Sequence, residues 1–560
     1  MKKTKIFSLI MAGALVSSVM AGCGSTQTSS TGTNTTTATD KSPITITMYS
    51  ADASALTSKF TDPVAKEITK ETGVTLKIEY PVAGNDRVPL MIAGGEYPDI
   101  IYAKADTSKL ISSGAFLSLD KYIASSPNIK KVYGAYLNRL KYSTSDPHIY
   151  TLGAYAVQPQ GTPLWTDSGT FELQHAVLKD QSYPKLKTLD DYEAAIKAYM
   201  KKYPTINGQK TIGLSLSATD WRWMITLGNP SDDALGNFNN GEWNINQTTG
   251  KATYKFTVDA YKQYYKWLNK MNSEGLVDPD SFTQKFDQYQ AKIASGRVLA
   301  LSDANWDYQT SVTSLTKAGM EDRTYLSLPI TIDSKTKTTD LADMGYNIAD
   351  GIGISKSCKD PKRVMQFLDW MGTDKAQVLL HWGIEGTNYK IVNGKRVVPA
   401  SEQAKKNSDQ NYSADTGVGK YAYPFPEYGD GVKDSSGQYY TANSPQTIID
   451  GYNSAMKTTL KAYGVKRNGE LFPQTSEFKQ LKYPAAWTIT IPQDSDVATI
   501  LTAADNESQK MLPAVVAASP ADFDKVWAQY QADLKNLNID KANQGFTKLL
   551  SDKLKLWNSK

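Results

Sequence analysis

The chain reads as an α/β protein whose mainly parallel sheets are divided between two lobes joined by a hinge, and three observations lead there. Strand-like and helix-like periodicities alternate from Pro43 onward, the pattern of a parallel sheet covered by helices. About 520 residues follow the first 42 of the 560, too many for one hydrophobic core. A stretch rich in Pro, Gly, Tyr and Gln at 146–165 interrupts the alternation, as a crossing between lobes does. The expected division is 43–155 with 328–385 in the first lobe, and 156–327 with 386–560 in the second.

Residues 1–22 read as a targeting segment rather than as fold. Lys2, Lys3 and Lys5 form a basic start, and 6–20 form an apolar run too short to span a bilayer. The run ends in Met20-Ala21-Gly22-Cys23, which resembles the lipobox that bacteria cleave before a lipidated cysteine, although Met stands where Leu is usual. Residues 24–42 are mostly Ser, Thr, Gly, Asn and Ala. They bury too little to offset the entropy of folding and read as a tether reaching about 24 Å. A domain tied by lipid on Cys23 to the extracellular face of the cell membrane is expected. The other cysteine is Cys358, so a lipidated Cys23 leaves no disulfide within the mature chain.

The first lobe opens with a strand at 44–49, a helix at 62–72 closed by Gly73, and a strand at 74–80. A helix at 88–93 and a short strand at Ile100-Ile101-Tyr102 follow. In open α/β sheets ligands dock at the carboxyl ends of strands. Tyr49, Asp99 and Tyr102 lie at or near strand ends and are candidate cleft residues; packing or capping would equally account for each. The next helix, 189–203, has Thr188 and Asp191 at capping-box spacing and stops at Pro204.

A strand at 212–216 leads into Ser217-Ala218-Thr219-Asp220-Trp221-Arg222-Trp223. Two tryptophans bracketing an arginine can clamp a sugar ring or a uronic acid, since Arg pairs bidentately with carboxylates; a helix start with Trp223 in the core is the alternative. Asn-Gly and Thr-Gly between 239 and 251 signal a hairpin, and 258–273 is helical. From Gly275 the chain runs through Asp278-Pro279-Asp280 to a helix carrying Phe282, Phe286, Tyr289 and Ile293 on one face, with Gly296 as its stop. The apolar run 298–301 then reads as a buried strand emptying into Asp303-Ala304-Asn305-Trp306-Asp307. A flat aromatic flanked by hydrogen-bonding groups suits a polar ligand with apolar faces, and sugars are such ligands. A half-buried loop aromatic is the other reading of Trp306.

Beyond Trp306 the chain is expected to cross between lobes at 325–330 and again at 385–390. Residues 351–355 form a strand, and Asp360-Pro361 starts a helix as N-cap and N1. The stretch 381–395, HWGIEGTNYKIVNGK, adds Trp382 as a candidate contact. Residues 400–450 are rich in Gly, Asp and Tyr without period, and Asp430 to Asp434 lacks the EF-hand spacing. Phe523, Val526, Trp527, Tyr530, Leu534 and Leu537 fall three or four apart, a packing stripe.

GLVDPD at 275–280, the helix ending in Ser295-Gly296-Arg297 and the strand leading to Asn305-Trp306 resemble family 1 of the extracellular solute-binding proteins. So do GVTLKIEY at 73–80, LMIAGGEYPDIIYA at 90–103 and the 381–395 stretch, which resembles the large Gram-positive lipoprotein subgroup that binds oligosaccharides. The resemblance implies a type II periplasmic-binding-protein-like fold. It also implies an oligosaccharide held in an interlobe cleft with Trp306 stacked on a sugar ring, delivery to the permease of an ABC importer, and no catalysis. Three histidines in unrelated contexts, and no nucleophile elbow, zinc motif, Walker loop or dinucleotide turn, fit a binder without cofactor or metal. Paired carboxylates need no local motif, so a secreted glycosidase or lyase is the alternative. The net charge of +5, three of it in the targeting segment, argues against a nucleic-acid partner. A monomer is expected.

Overall fold

The computed structural model describes residues 40–52, 59–81, 87–166, 168–346 and 350–558; the expectations for Cys23 and for residues 1–39 lie outside them. The first helix shows how local sequence sets local structure. Asp62 caps Pro63–Thr72 by accepting from the Ala65 N–H at 2.8 Å, and Pro63 fills the first turn. Gly73 ends it at φ 73°, with its N–H on the Thr69 carbonyl. A Cβ there would stand 2.3 Å from the Lys41 carbonyl oxygen, so only glycine fits. Asp40 to Ser42, assigned to the tether, lie on the fold: Arg363 donates to the Ser42 carbonyl at 3.2 Å.

Nine of the described strands make the two larger sheets. In the first, β1 (Ile44–Ser50), β2 (Val74–Glu79), β3 (Ile100–Tyr102) and β4 (Thr151–Gly153) are joined by β9 (Gly351–Ile354), in the order β2-β1-β3-β9-β4. In the second, β5 (Phe171–Gln174), β6 (Ile212–Ser215), β7 (Val298–Ser302) and β8 (Tyr325–Leu328) lie in the order β8-β5-β7-β6. The expected alternation of strand and helix is present, but the sheets are mixed rather than mainly parallel. β1 is parallel to β2 and β3, and β7 to β6, whereas β9 and β5 run against their neighbours.

The register explains why. Gly153, the last residue of β4, pairs with Gly351, the first of β9, at the edge where β1 and β3 end. Phe171, the first residue of β5, pairs with Ser302 at the end of β7 and with Leu328 at the end of β8. The segments 154–170 and 329–350 therefore both run from the carboxyl edge of one sheet to the carboxyl edge of the other. A strand that enters at that edge has to run backwards. The second crossing thus follows β8 rather than occupying it, as the 325–330 expectation had it.

Each sheet has its own core. Around the first pack Ile46, Ile68, Tyr102, Leu152, Ile352, Phe367 and Leu380, together with Tyr421, Phe425, Tyr428 and Tyr440. Around the second pack Leu173, Tyr192, Leu214, Tyr265, Leu299 and Leu326, with Phe523, Trp527, Tyr530, Leu534 and Phe546 from the helices Phe523–Asn536 and Ile539–Trp557. Burying each aliphatic side chain contributes roughly 1.5–3 kcal/mol. Residues 412–440, expected in the second lobe, thus pack with the first. Asp62 explains part of that placement, since its buried carboxylate accepts from Lys420 at 3.0 Å and Tyr421 at 2.5 Å. No described helix is long and apolar enough to cross a membrane.

Candidate functional site

The carboxyl edges of the two sheets are where both crossings converge, and the second sheet carries two tryptophans there. Beyond β7, Trp306 is the second residue of the helix Asn305–Lys317 and is 57% exposed. Gly169, at φ 86°, lets the Ser168 carbonyl accept the Asn305 N–H at 2.9 Å. A Cβ on Gly169 would come within 2.6 Å of that nitrogen, so the crossing segment can seat the helix only through glycine. Beyond β6, Trp221 is 54% exposed. The two indoles are nearly parallel, 11° apart, with centroids separated by 6.0 Å.

Arg222 holds the pair in place. Its Nε donates to both carboxylate oxygens of Asp307, at 2.9 and 3.1 Å, and a terminal nitrogen donates to Asp220 at 2.8 Å. The guanidinium lies over the Phe286 ring at 3.5 Å and the Trp221 ring at 4.5 Å. It therefore rivets the Trp221 loop to the helix of Trp306, with its Nε and one terminal nitrogen engaged by protein carboxylates. Burial, with Asp220 adding repulsion, raises the Asp307 carboxyl above its ordinary range while Arg222 pulls it down.

The other expected residues separate into groups. Trp223 is 5% exposed, tilted against Phe256 in the second core. The alternative reading of its segment holds for it. Asp303 is buried behind Trp306; its oxygens accept from the Tyr289 hydroxyl at 2.8 Å and the Ala304 N–H at 2.7 Å, and burial holds its carboxyl well above the usual range. It supports the loop rather than meeting a ligand. Asn305 is exposed and lines a cavity of about 320 Å³ with Tyr308, Gln309 and Val312. Trp382 is buried, its Nε1 donating to the Tyr439 carbonyl at 3.3 Å with the Arg396 guanidinium 5.5 Å from its ring.

At the first sheet, Tyr49 is buried in a small cluster with Val88 and Ile101. Asp99 precedes β3 and so lies at the opposite edge, where it accepts from the Thr47 N–H at 2.9 Å and hydroxyl at 2.7 Å and sews β1 to β3. Tyr102 is buried with its hydroxyl bonded to that of Tyr423. Tyr423 in turn meets Tyr155 edge-on at 6.0 Å, and Tyr155 is the exposed ring of the three. Asp52, paired with Lys104 at 2.9 Å, and Asp350, pushed up to about 6 by burial, complete this edge.

Sequence reasoning missed a cavity of about 640 Å³ between the Trp306 helix and the segments 406–413 and 427–430. Gln309, Thr310 and Thr313 line it, three, four and seven residues past Trp306 and so on its face of the helix. That spacing was the available signal; Gln158, Glu427 and Asp430 on the facing wall come from distant segments and gave none. Burial, with Asp430 adding repulsion, pushes Glu427 up to about 8. A wider depression of about 840 Å³ lined by His175, Tyr199 and Arg323 lies past the far end of β5, away from the crossings.

A cavity lined mostly by polar residues, along the helix whose first turn carries one of two exposed parallel indoles, can hold a solute. The family of bacterial extracellular solute-binding proteins matches residues 53–378. The chain belongs to that family. This solute-binding protein is 24% identical over 393 residues to Lipoprotein LipO of Bacillus subtilis (strain 168), covering 69% of this chain and 74% of that protein. Among solved structures, it superposes on the S. pneumoniae ABC-transporter substrate binding protein FusA in complex with kestose with a TM-score of 0.67, at 15% identity, covering 91% of this chain and 99% of that one. The alginate-binding protein AlgQ2 gives a TM-score of 0.64 at 17% identity, with 92% and 99% covered. These establish the two-lobed fold, and membership of a solute-binding family displaces the glycosidase or lyase alternative.

Proposed function

We propose that this extracellular solute-binding protein captures an oligosaccharide between its lobes and hands it to the permease of an ABC importer. The observation that carries the reading is the pair Trp221 and Trp306. Two large indole faces left in water at the edge of a cleft are a standing cost unless a ligand covers them. Sugar rings have an apolar face for an indole and hydroxyls for the surrounding Gln, Thr and carboxylate groups, which return the hydrogen bonds lost on leaving water. FusA, which is similar in fold, is in complex with kestose.

In this reading the first lobe comprises roughly residues 43–153 and 351–441, and the second 171–328 and 454–550, with hinges in the segments between them. Lipid on Cys23 holds the protein at the outer face of the membrane, as the name of LipO supports, and the protein acts as a monomer. The test is intrinsic tryptophan fluorescence during titration with a panel of neutral and acidic oligosaccharides. A saturable change that disappears in Trp306→Phe/Trp221→Phe supports the reading; a panel that gives none in the wild type, with no heat of binding, defeats it.

A further inference from the structure

We infer that the ligand is an uncharged oligosaccharide and that uronic-acid chains are excluded, an inference that rests on the sugar-binding reading above. In three polar groups around the cleft, one cation stands against two carboxylates. Arg222 is held by Asp220 and Asp307. Lys104 is paired with Asp52 at 2.9 Å and also feels Asp350. Lys406 shares its cavity with Asp409 and Asp430.

The excess of carboxylate is a statement about hydrogen bonding as well as charge. A carboxylate only accepts, whereas a sugar hydroxyl both donates and accepts, so Asp220, Asp52 and Asp430 suit hydroxyls and form short, charge-assisted bonds to them. A uronate presents an acceptor to these acceptors, and its charge adds repulsion. The charge of Arg222 is already matched by Asp220 and by Asp307, which is itself buried. Lys285 beside Phe286 is exposed, where salt screens it, and Lys406 lines the cavity, where the charge of Asp430 acts on it. The residues between 40 and 558 outside the described ones include no Lys or Arg, so no further cation comes from there.

The experiment compares each uronate oligosaccharide with its own carboxyl-reduced form, which keeps linkage and ring stereochemistry and removes only the charge. Galacturonate and mannuronate tetrasaccharides and their reduced partners, with neutral fructan, xylan and mannan tetrasaccharides, are titrated calorimetrically into the full mature chain. Neutral chains are expected to bind, with affinity unchanged within twofold between 50 and 500 mM salt (about a threefold change in screening length), and any reduced chain at least tenfold tighter than its uronate. Asp220→Asn, which leaves an Arg222 donor without its partner, is expected to narrow that gap by raising uronate affinity. A uronate that binds tighter than its reduced form, weakens with salt and loses its advantage in Lys285→Ala/Lys406→Met overturns the inference and leaves the sugar-binding reading intact. Failure of every neutral and acidic chain to bind overturns both.

Discussion

Trp221 and Trp306 stand 85 residues apart in sequence and yet present nearly parallel faces, because Arg222, next to one, donates to Asp307, next to the other. Truncating either indole is expected to weaken oligosaccharide binding by at least ~2 kcal/mol, about thirtyfold, as with other exposed aromatic anchors. The melting temperature of the free protein changes little. Trp223→Ala, two residues from Trp221 but buried, behaves in the opposite way, costing ~3–5 kcal/mol of stability. Calorimetry and thermal melts on the three variants separate the roles; equal melting losses in all three would count against the binding pair.

The Lys420–Asp62 pair is buried on both sides and clips the 412–440 segment to the first helix. Lys420→Met strands the Asp62 carboxylate and is expected to cost ~3–5 kcal/mol, whereas Lys420→Met with Asp62→Asn recovers a good part of it. Denaturant titration of the single and double variants provides the measurement. A double variant no more stable than the single one contradicts the ion-pair account.

Burial lowers His175 to about 4 from an ordinary 6.5. Its Nδ1 meets the Thr459 hydroxyl at 2.9 Å and its Nε2 has no partner. The folded state resists a proton that the unfolded chain accepts, so the contribution is complete above pH 6.5 and is lost as pH falls toward 4. At pH 5 this amounts to roughly 2 kcal/mol. His175→Gln removes it, and the variant's melting temperature is expected to fall less steeply between pH 7 and 5 than the wild type's. Parallel slopes would mean that His175 is protonated in the folded protein.

Closure about the segments 154–170 and 329–350 is expected to shrink the radius of gyration on ligand binding, measured by small-angle scattering. The two segments are linked to each other, the Asp343 carboxylate accepting the Gly161 N–H at 2.6 Å and Asp340 the Thr170 hydroxyl at 2.5 Å. They are expected to move together, and Asp343→Ala to alter the extent of compaction without touching a ligand contact. A radius unchanged at saturating ligand argues for a rigid cleft.

Cys23→Ser is expected to release the protein from the membrane fraction into the medium. Two acyl chains, at about 0.8 kcal/mol for each buried methylene, anchor firmly where one does not. Retention of the serine variant in the membrane fraction, shown by fractionation, would point to another anchor.

Local signals carried much of the fold. The Thr188–Asp191 capping box, Gly73 as helix stop and the strand 298–301 all stand where their residues put them, because caps and periodicity act within a few residues. The tryptophans were visible but not their exposure: Trp221 and Trp223 differ only in which side of one turn faces the core, and Trp223 finds its partner in Phe256, 33 positions on. Asp303 followed a buried strand as a ligand residue would, yet Tyr289 reaches it first. Tyr102 meets Tyr423 across 321 positions, a relation that composition and spacing do not encode. Tyr155 was missed for the same reason.

The place of β9 has a consequence for how the chain is made. β4 joins the first sheet only through β9, which is inserted between it and β3. About 200 residues separate the two strands, so at ordinary synthesis rates roughly 10–40 s pass between their appearances. During that interval the flank of β3 is an open edge, a template for pairing with other chains. A fragment ending before residue 351 keeps that edge open and is expected to aggregate rather than fold.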